Sequence, residues 1–138
     1  MLGRRSPQLD MFSAQRMPHQ VAPDSFYGQM GSLNRRLFPD DDLSDMYSLD
    51  NGRPSLPPSL MNGVLLLQFF DDVSDGEAVE RTMYDLRWKV ALNLPLDFPG
   101  FHPTSLTKYR NRLIKHGHER YAFDRFVEAA REAGFISD

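Results

Sequence analysis

The stretch PPSLMNGVLLLQFFDDVSDGEAVERTMYDLRWKVALNL, residues 57–94, predicts two consecutive helices and with them an all-α fold. Its first helix is expected to begin at Pro57, because a proline pair is compatible with the first helical positions. The apolar residues that follow leave almost no polar face, which is typical of a helix in the centre of a bundle. These residues are Leu60, Val64, Leu65, Leu67 and Phe69.

The second half of the stretch carries a helix start signal. Ser74 and Glu77 fit a capping box, in which each side chain satisfies the other's free backbone N–H. One helix is predicted from there to the turn at Pro95, with Trp88 as its bulkiest residue. Its expected core stripe consists of Val79, Met83, Leu86 and Val90.

Upstream, residues 1–22 lack periodicity and are predicted to form a flexible arm that docks through Met11 and Phe12. The folded domain is expected to span residues 23–138. Asp24 is expected to cap a helix that ends at Pro39. Its apolar stripe would be Phe26, Met30, Leu33 and Leu37. The run DDDLSDMY, residues 40–47, is consistent with a further short helix, and Asn51-Gly52 begins a proline-rich turn.

Two helices are predicted downstream. The first follows Pro103 and ends at Gly117, with Leu106, Tyr109 and Leu113 as its buried stripe. The second spans residues 120–133 and ends in a glycine cap at Gly134. The apolar residues expected to be buried in it are Phe123, Phe126, Val127 and Ala130. The fold class is therefore a small all-α multi-helix bundle with a flexible N-terminal arm.

Composition narrows the possible functions. The chain has 138 residues, a formal net charge of -3 and no cysteine. Disulfides and thiolate zinc sites are thereby excluded, and polyanion binding would need a local patch. The apolar run VLLLQFF is too short to span a membrane, so no membrane association is expected. The absence of cysteine fits a reducing cytoplasm, where the protein is expected to be located.

Such a patch is present in FHPTSLTKYRNRLIKHGHERY, residues 101–121, which holds five Lys and Arg residues against one acid. Lys108, Asn111, Arg112 and Lys115 stand at i, i+3, i+4 and i+7 and project together from the predicted helix. Arg and Asn read base edges, and hydroxyls at a helix start take phosphate. The alternative is an ordinary solvated face. A helix-turn-helix is only weakly indicated, since about ten residues separate this helix from the preceding one.

Other candidate sites are read as structural. His116 and His118 lie two residues apart and point away from each other on a helix, so a zinc site is not expected. The acidic runs at residues 40–42 and 71–72 are interpreted as caps or solvated surface. No phosphate loop, nucleophile elbow or HExxH motif occurs, and neither a metal nor another cofactor is predicted.

Several longer strings together resemble the N-terminal region of bacterial insertion-sequence transposases, which carry a helical domain ahead of a ribonuclease-H-like DDE nuclease. The most specific are NGRPSLPP with its LLLQ helix and DGEAVERTMYDLRWKVALNL. Shorter matching strings are QLDMFSA, APDSFY, LNRRLFPDDDLSDMY, TSLTKYRNRLIKHG and AREAGFI.

The resemblance implies a DNA-binding and assembly domain that recognises the terminal inverted repeats of the element. Double-stranded DNA at element ends is the expected partner, with a second copy or an intact transposase as further partners. A helix-turn-helix-like portion is expected to bind DNA through Thr104, Ser105, Lys108, Arg110, Asn111, Arg112 and Lys115. The family's catalytic acids belong to the later nuclease domain, so no catalytic residue and no enzyme activity are expected here, whereas a full-length relative would be a transposase.

Two alternatives remain open from the sequence. The helices could serve dimerisation of the transposase and touch DNA little, which the apolar surface of the 57–70 helix suggests. The chain could also be a decayed fragment without activity.

Overall fold

The computed structural model describes residues 21–33, 37–38 and 56–134. Within these residues it contains six α-helices and no strand, so the all-α prediction is confirmed. The helices are α1 (Phe26–Leu33), α2 (Pro58–Asp71), α3 (Asp75–Tyr84), α4 (Leu86–Leu92), α5 (Thr104–Lys115) and α6 (Tyr121–Glu132). Met11 and Phe12 of the predicted arm, the predicted helix at 40–47, Pro39 and the turn at Asn51 lie outside the described residues.

Helix α2 is the centre of the bundle, as its apolar sequence predicts, and contacts α3, α4, α5 and α6. Pro58 occupies its first turn, and Leu60, Val64 and Leu67 are buried. Phe69 is 74% exposed, so its predicted burial is wrong. The residue lies in the last turn of α2, where the helix reaches the surface and an apolar side chain no longer has neighbours on every side.

The segment predicted as a single helix is divided at Asp85. The Ser74 cap is confirmed, since its hydroxyl accepts from the Glu77 N–H at 3.2 Å. Asp85, however, has extended backbone angles and accepts from the Arg87 N–H at 2.9 Å, which starts a new helix. The break changes which side chains face inward: Leu86, predicted in the core, is 40% exposed.

Burial in α4 instead falls on residues that the predicted stripe left out. They are Trp88, Lys89, Ala91 and Leu92. Helix α1 packs closely against this helix, and a Cβ added at Gly31 would lie 2.5 Å from the Val90 carbonyl oxygen. The glycine therefore permits the close approach of the two backbones.

In the first and last described helices, α1 and α6, the structure differs from the sequence predictions in smaller details. The cap of α1 is Ser25 and not the predicted Asp24, because the Ser25 hydroxyl accepts from the Gly28 N–H at 3.1 Å. In α6 the buried residues are Ala129 and Ala130. Phe123, predicted to be buried, is 47% exposed because its part of α6 borders an open groove. Gly134 has φ of 81°, as expected for a glycine cap.

None of the helices in the described residues combines the length and apolarity that crossing a membrane requires.

Candidate nucleic-acid interface on helix α5

Helix α5 packs on α2 and α3 through the stripe that its sequence predicts, with Leu106, Tyr109 and Leu113 buried. The Tyr109 hydroxyl accepts a hydrogen bond of 2.8 Å from the buried amide of Asn62 on α2. At the amino end, the Thr104 N–H donates to Nδ1 of His102 at 3.2 Å. The buried side of α5 is thus defined by an apolar seam and one polar tie to α2.

On the opposite side, four of the seven predicted DNA-binding residues form an exposed row. They are Thr104, Lys108, Asn111 and Lys115. Their spacing of i, i+4, i+7 and i+11 follows one face of a helix. The other three residues, Ser105, Arg110 and Arg112, are half-buried and flank the row. No acidic residue occurs between positions 104 and 115, so the exposed row lies on a helix that carries only positive charge.

Arg110 is held by a cluster that we call the Asp75 clasp, which consists of Asp75, Arg110, Thr107 and Gln68. The Arg110 guanidinium donates from Nη1 and Nη2 to the two oxygens of Asp75, each at 2.8 Å. The same carboxylate accepts from Gln68 Nε2 at 2.7 Å and from Thr107 Oγ1 at 3.2 Å. Since Gln68 lies on α2 and Asp75 on α3, the clasp joins α5 to both neighbouring helices.

The electrostatics of the clasp follow from these contacts. The hydrogen bonds from Arg110 hold the pKa of Asp75 well below its usual range, against the opposing effect of burial, and those from Gln68 and Thr107 add to the shift. Hydrogen bonding to Asp75 in turn raises the pKa of Arg110. The positive charge of Arg110 is therefore compensated within the protein and adds little net charge to the exposed row.

Arg110 was predicted to contact DNA, and its pairing with Asp75 was not predicted. Asp75 stands 35 positions earlier in the chain, so no local pattern connects the two residues. A signal did exist in α5 itself: Arg110 follows Tyr109 directly and lies four residues after Leu106, which places it beside the buried seam.

An apolar groove of about 390 Å³ lies next to the clasp, between α2, α5 and α6. Its apolar lining includes Leu65, Phe69, Leu113, Ile114, Ala122 and Phe123. The rings of Phe69 and Phe123 meet edge to face at 5.7 Å, and Ile114 is 62% exposed. This groove was not predicted, because Phe69 was assigned to a central helix with almost no polar face and Phe123 to the buried stripe of its own helix.

A second carboxylate cluster, at Asp71, ties helices together at the last residue of α2. Asp71 Oδ1 accepts from the Tyr27 hydroxyl at 2.7 Å, and Oδ2 accepts from Trp88 Nε1 at 2.8 Å. Arg81 donates to Oδ2 at 3.2 Å. Across the described part of the chain, no three His, Cys, Asp or Glu side chains are grouped as a metal site would require.

Comparison with known proteins relates the chain to a family of domains. A family model described as "Transposase domain (DUF772)" matches residues 16–112. The matched range includes α1 to α4 and the first three-quarters of α5, up to and including Arg112. No curated protein and no solved structure matches the chain significantly.

Proposed function

The chain belongs to the transposase-domain family DUF772, and on this premise we propose that it binds double-stranded DNA and recognises the terminal inverted repeats of a mobile element. The family relates the chain to transposition and confirms the resemblance found in its sequence. The observation that carries the proposal is the exposed row of α5, because it offers two ammonium groups, an amide and a hydroxyl on one helix face.

The row has dimensions that suit a DNA groove. Its eleven steps at 1.5 Å per residue span about 16 Å, close to the length of five base pairs. An α-helix fits the major groove of B-DNA, where an asparagine such as Asn111 can pair bidentately with adenine. Lys108 and Lys115 would neutralise phosphates that border the groove, and Thr104 would contact a phosphate near the helix start.

Measurements of affinity against salt concentration test this assignment. The variant Lys108→Ala/Lys115→Ala is expected to bind element-end DNA more weakly, and the slope of log K against log salt should fall by about 0.9 for each phosphate contact removed. A matched control is Arg120→Ala/Arg131→Ala, which removes the same charge from residues near the ends of α6. Equal slopes for the two double variants would exclude α5 as the phosphate-binding face.

A variant of Asn111 distinguishes recognition of the base sequence from binding of phosphate. Asn111→Ala is expected to reduce discrimination at one base pair by about 1–3 kcal/mol while the salt slope stays unchanged. Competition with duplexes substituted one base pair at a time measures this directly. Unchanged discrimination at every position would remove Asn111 from the reading surface.

The apolar groove favours a second candidate function, an assembly surface of the same domain. Phe69, Ile114 and Phe123 are large apolar residues that are each nearly half or more exposed. Contiguous exposed apolar surface is typical of interaction sites. Light scattering over micromolar concentrations tests this candidate: association that Phe69→Ser weakens would support it, and a strict monomer would count against it.

A further inference from the structure

We propose that Asp75 is a positioning residue for the DNA-reading helix, and that Arg110 serves the Asp75 clasp instead of contacting DNA. This inference rests on the proposed function of α5. The clasp would fix the rotation of α5 about its own axis, which decides whether the exposed row points straight into a groove.

The packing of α5 shows why a polar restraint is needed. Its apolar seam consists of three buried residues, Leu106, Tyr109 and Leu113. Apolar contacts have no preferred direction, so a seam this narrow resists separation of the helices more than it resists rolling. The segment before α5, residues 93–103, contains no helix that could hold its start.

Two directional ties act on different sides of α5. On the buried side, Asn62 donates to the Tyr109 hydroxyl. On the flank, Arg110 donates two parallel hydrogen bonds to Asp75, a geometry that restricts the angle of the guanidinium as well as its distance. A helix held at two points around its circumference cannot roll without breaking one of them.

Asp75 is itself held in place, which a positioning residue requires. It is the first residue of α3, directly after the Ser74 cap, and its carboxylate also accepts from Gln68 on α2. The position of α5 is thereby fixed relative to both α2 and α3. A site supported in this way loses specific binding when the support is removed, although every contacting residue is still present.

The variant Asp75→Asn tests the proposal, because loss of charge and loss of positioning change the affinity for DNA in opposite directions. Removal of a negative charge close to a DNA-binding helix would by itself tighten binding. Loss of positioning predicts the opposite: the Kd for element-end duplexes should rise about fivefold or more, while binding to shuffled duplexes and the salt slope stay nearly unchanged. Asp124→Asn removes the same charge from an exposed part of α6 and should leave discrimination between the two duplexes unchanged.

Arg110→Met completes the test, because it removes the guanidinium but retains an unbranched stem. If Arg110 serves the clasp, this variant and the double variant Asp75→Asn/Arg110→Met should lose as much discrimination as Asp75→Asn alone. Tighter binding by Asp75→Asn, together with a salt slope lowered by Arg110→Met, would show that Arg110 contacts phosphate and would overturn the proposal.

Hydrogen exchange of the free protein tests the clasp without DNA. Asp75→Asn is expected to reduce the protection of α5 amides at least tenfold and to leave those of α4 unchanged. Unaltered protection of α5 would overturn the clasp as a restraint. If the wild-type protein shows no preference for element ends, the proposed function fails, and the exchange result still decides whether Asp75 holds α5.

Discussion

The Asp71 cluster yields the sharpest prediction about stability. Asp71→Asn keeps the shape of the side chain but replaces one acceptor oxygen by an amide that can only donate. Because Tyr27 donates to Oδ1 and Trp88 to Oδ2, the variant cannot keep both hydrogen bonds as they are: the Tyr27 hydroxyl must reverse and accept from the amide, and no charged acceptor remains. The loss of a bond to a charged acceptor costs about 1.5–3 kcal/mol, and weakening of the partly exposed Arg81 ion pair adds at most about 1 kcal/mol.

The expected destabilisation is therefore about 1.5–4 kcal/mol, a large part of the roughly 5–15 kcal/mol of a typical domain. For a chain of this size it corresponds to a fall in Tm of about 10 °C. Far-UV circular dichroism reports the transition, and the emission of Trp88, the single tryptophan, reports the cluster itself.

The neighbouring residue provides the control for this measurement. Asp72→Asn removes the same charge from an exposed residue whose φ of 55° asparagine tolerates, so its Tm should stay within about 2 °C of the wild-type value. Equal Tm values for Asp71→Asn and Asp72→Asn would refute the view that Asp71 ties the helices together.

Three further predictions concern buried or paired polar groups. Tyr109→Phe deprives Asn62 of an acceptor and should cost about 1–2 kcal/mol in urea unfolding, and additivity with Asn62→Leu would contradict the pairing. Burial lowers the pKa of Lys89. Lys89→Met keeps an unbranched aliphatic side chain and should change the free energy of unfolding by less than about 1 kcal/mol, whereas Lys89→Ala should cost about 2 kcal/mol. Equal losses for the two variants would show that the aliphatic part of the Lys89 side chain does not contribute. Because Arg110 lowers the pKa of Asp75, the stability that Asp75 contributes is present above about pH 4 and declines as the pH falls further. The stabilities of the wild type and of Asp75→Asn, measured against pH, should therefore converge below that value.

Local sequence signals predicted much of this fold. The apolar run of α2 predicted a central helix, and the period of Leu106, Tyr109 and Leu113 predicted the buried side of α5, both as found. The capping hydroxyl of Ser74 was equally readable, because a cap and its partner lie three residues apart. These features depend on neighbours in the chain, which the sequence contains directly.

The features that were missed depend on tertiary contacts. Phe69 belongs to an apolar run and Phe123 to a stripe with the period of a buried helix face, yet whether other helices cover them is decided by packing that no local pattern records. Asp85 interrupts an apolar periodicity that would otherwise continue, because its side chain caps the next helix. The pairing of Asp75 with Arg110 joins residues 35 positions apart, so the sequence indicated the cationic face of α5 but not which of its cations is already bound.

Direct measurement of DNA preference tests the central claim, that the exposed row of α5 recognises element ends. Fluorescence anisotropy would compare duplexes that carry the terminal inverted repeats with shuffled duplexes of the same composition, at low and moderate salt. We expect tighter binding to the repeats at both salt concentrations, with the difference reduced in Asn111→Ala. Equal affinity for both duplexes, vanishing at moderate salt, would contradict recognition and leave α5 with an ordinary solvated face.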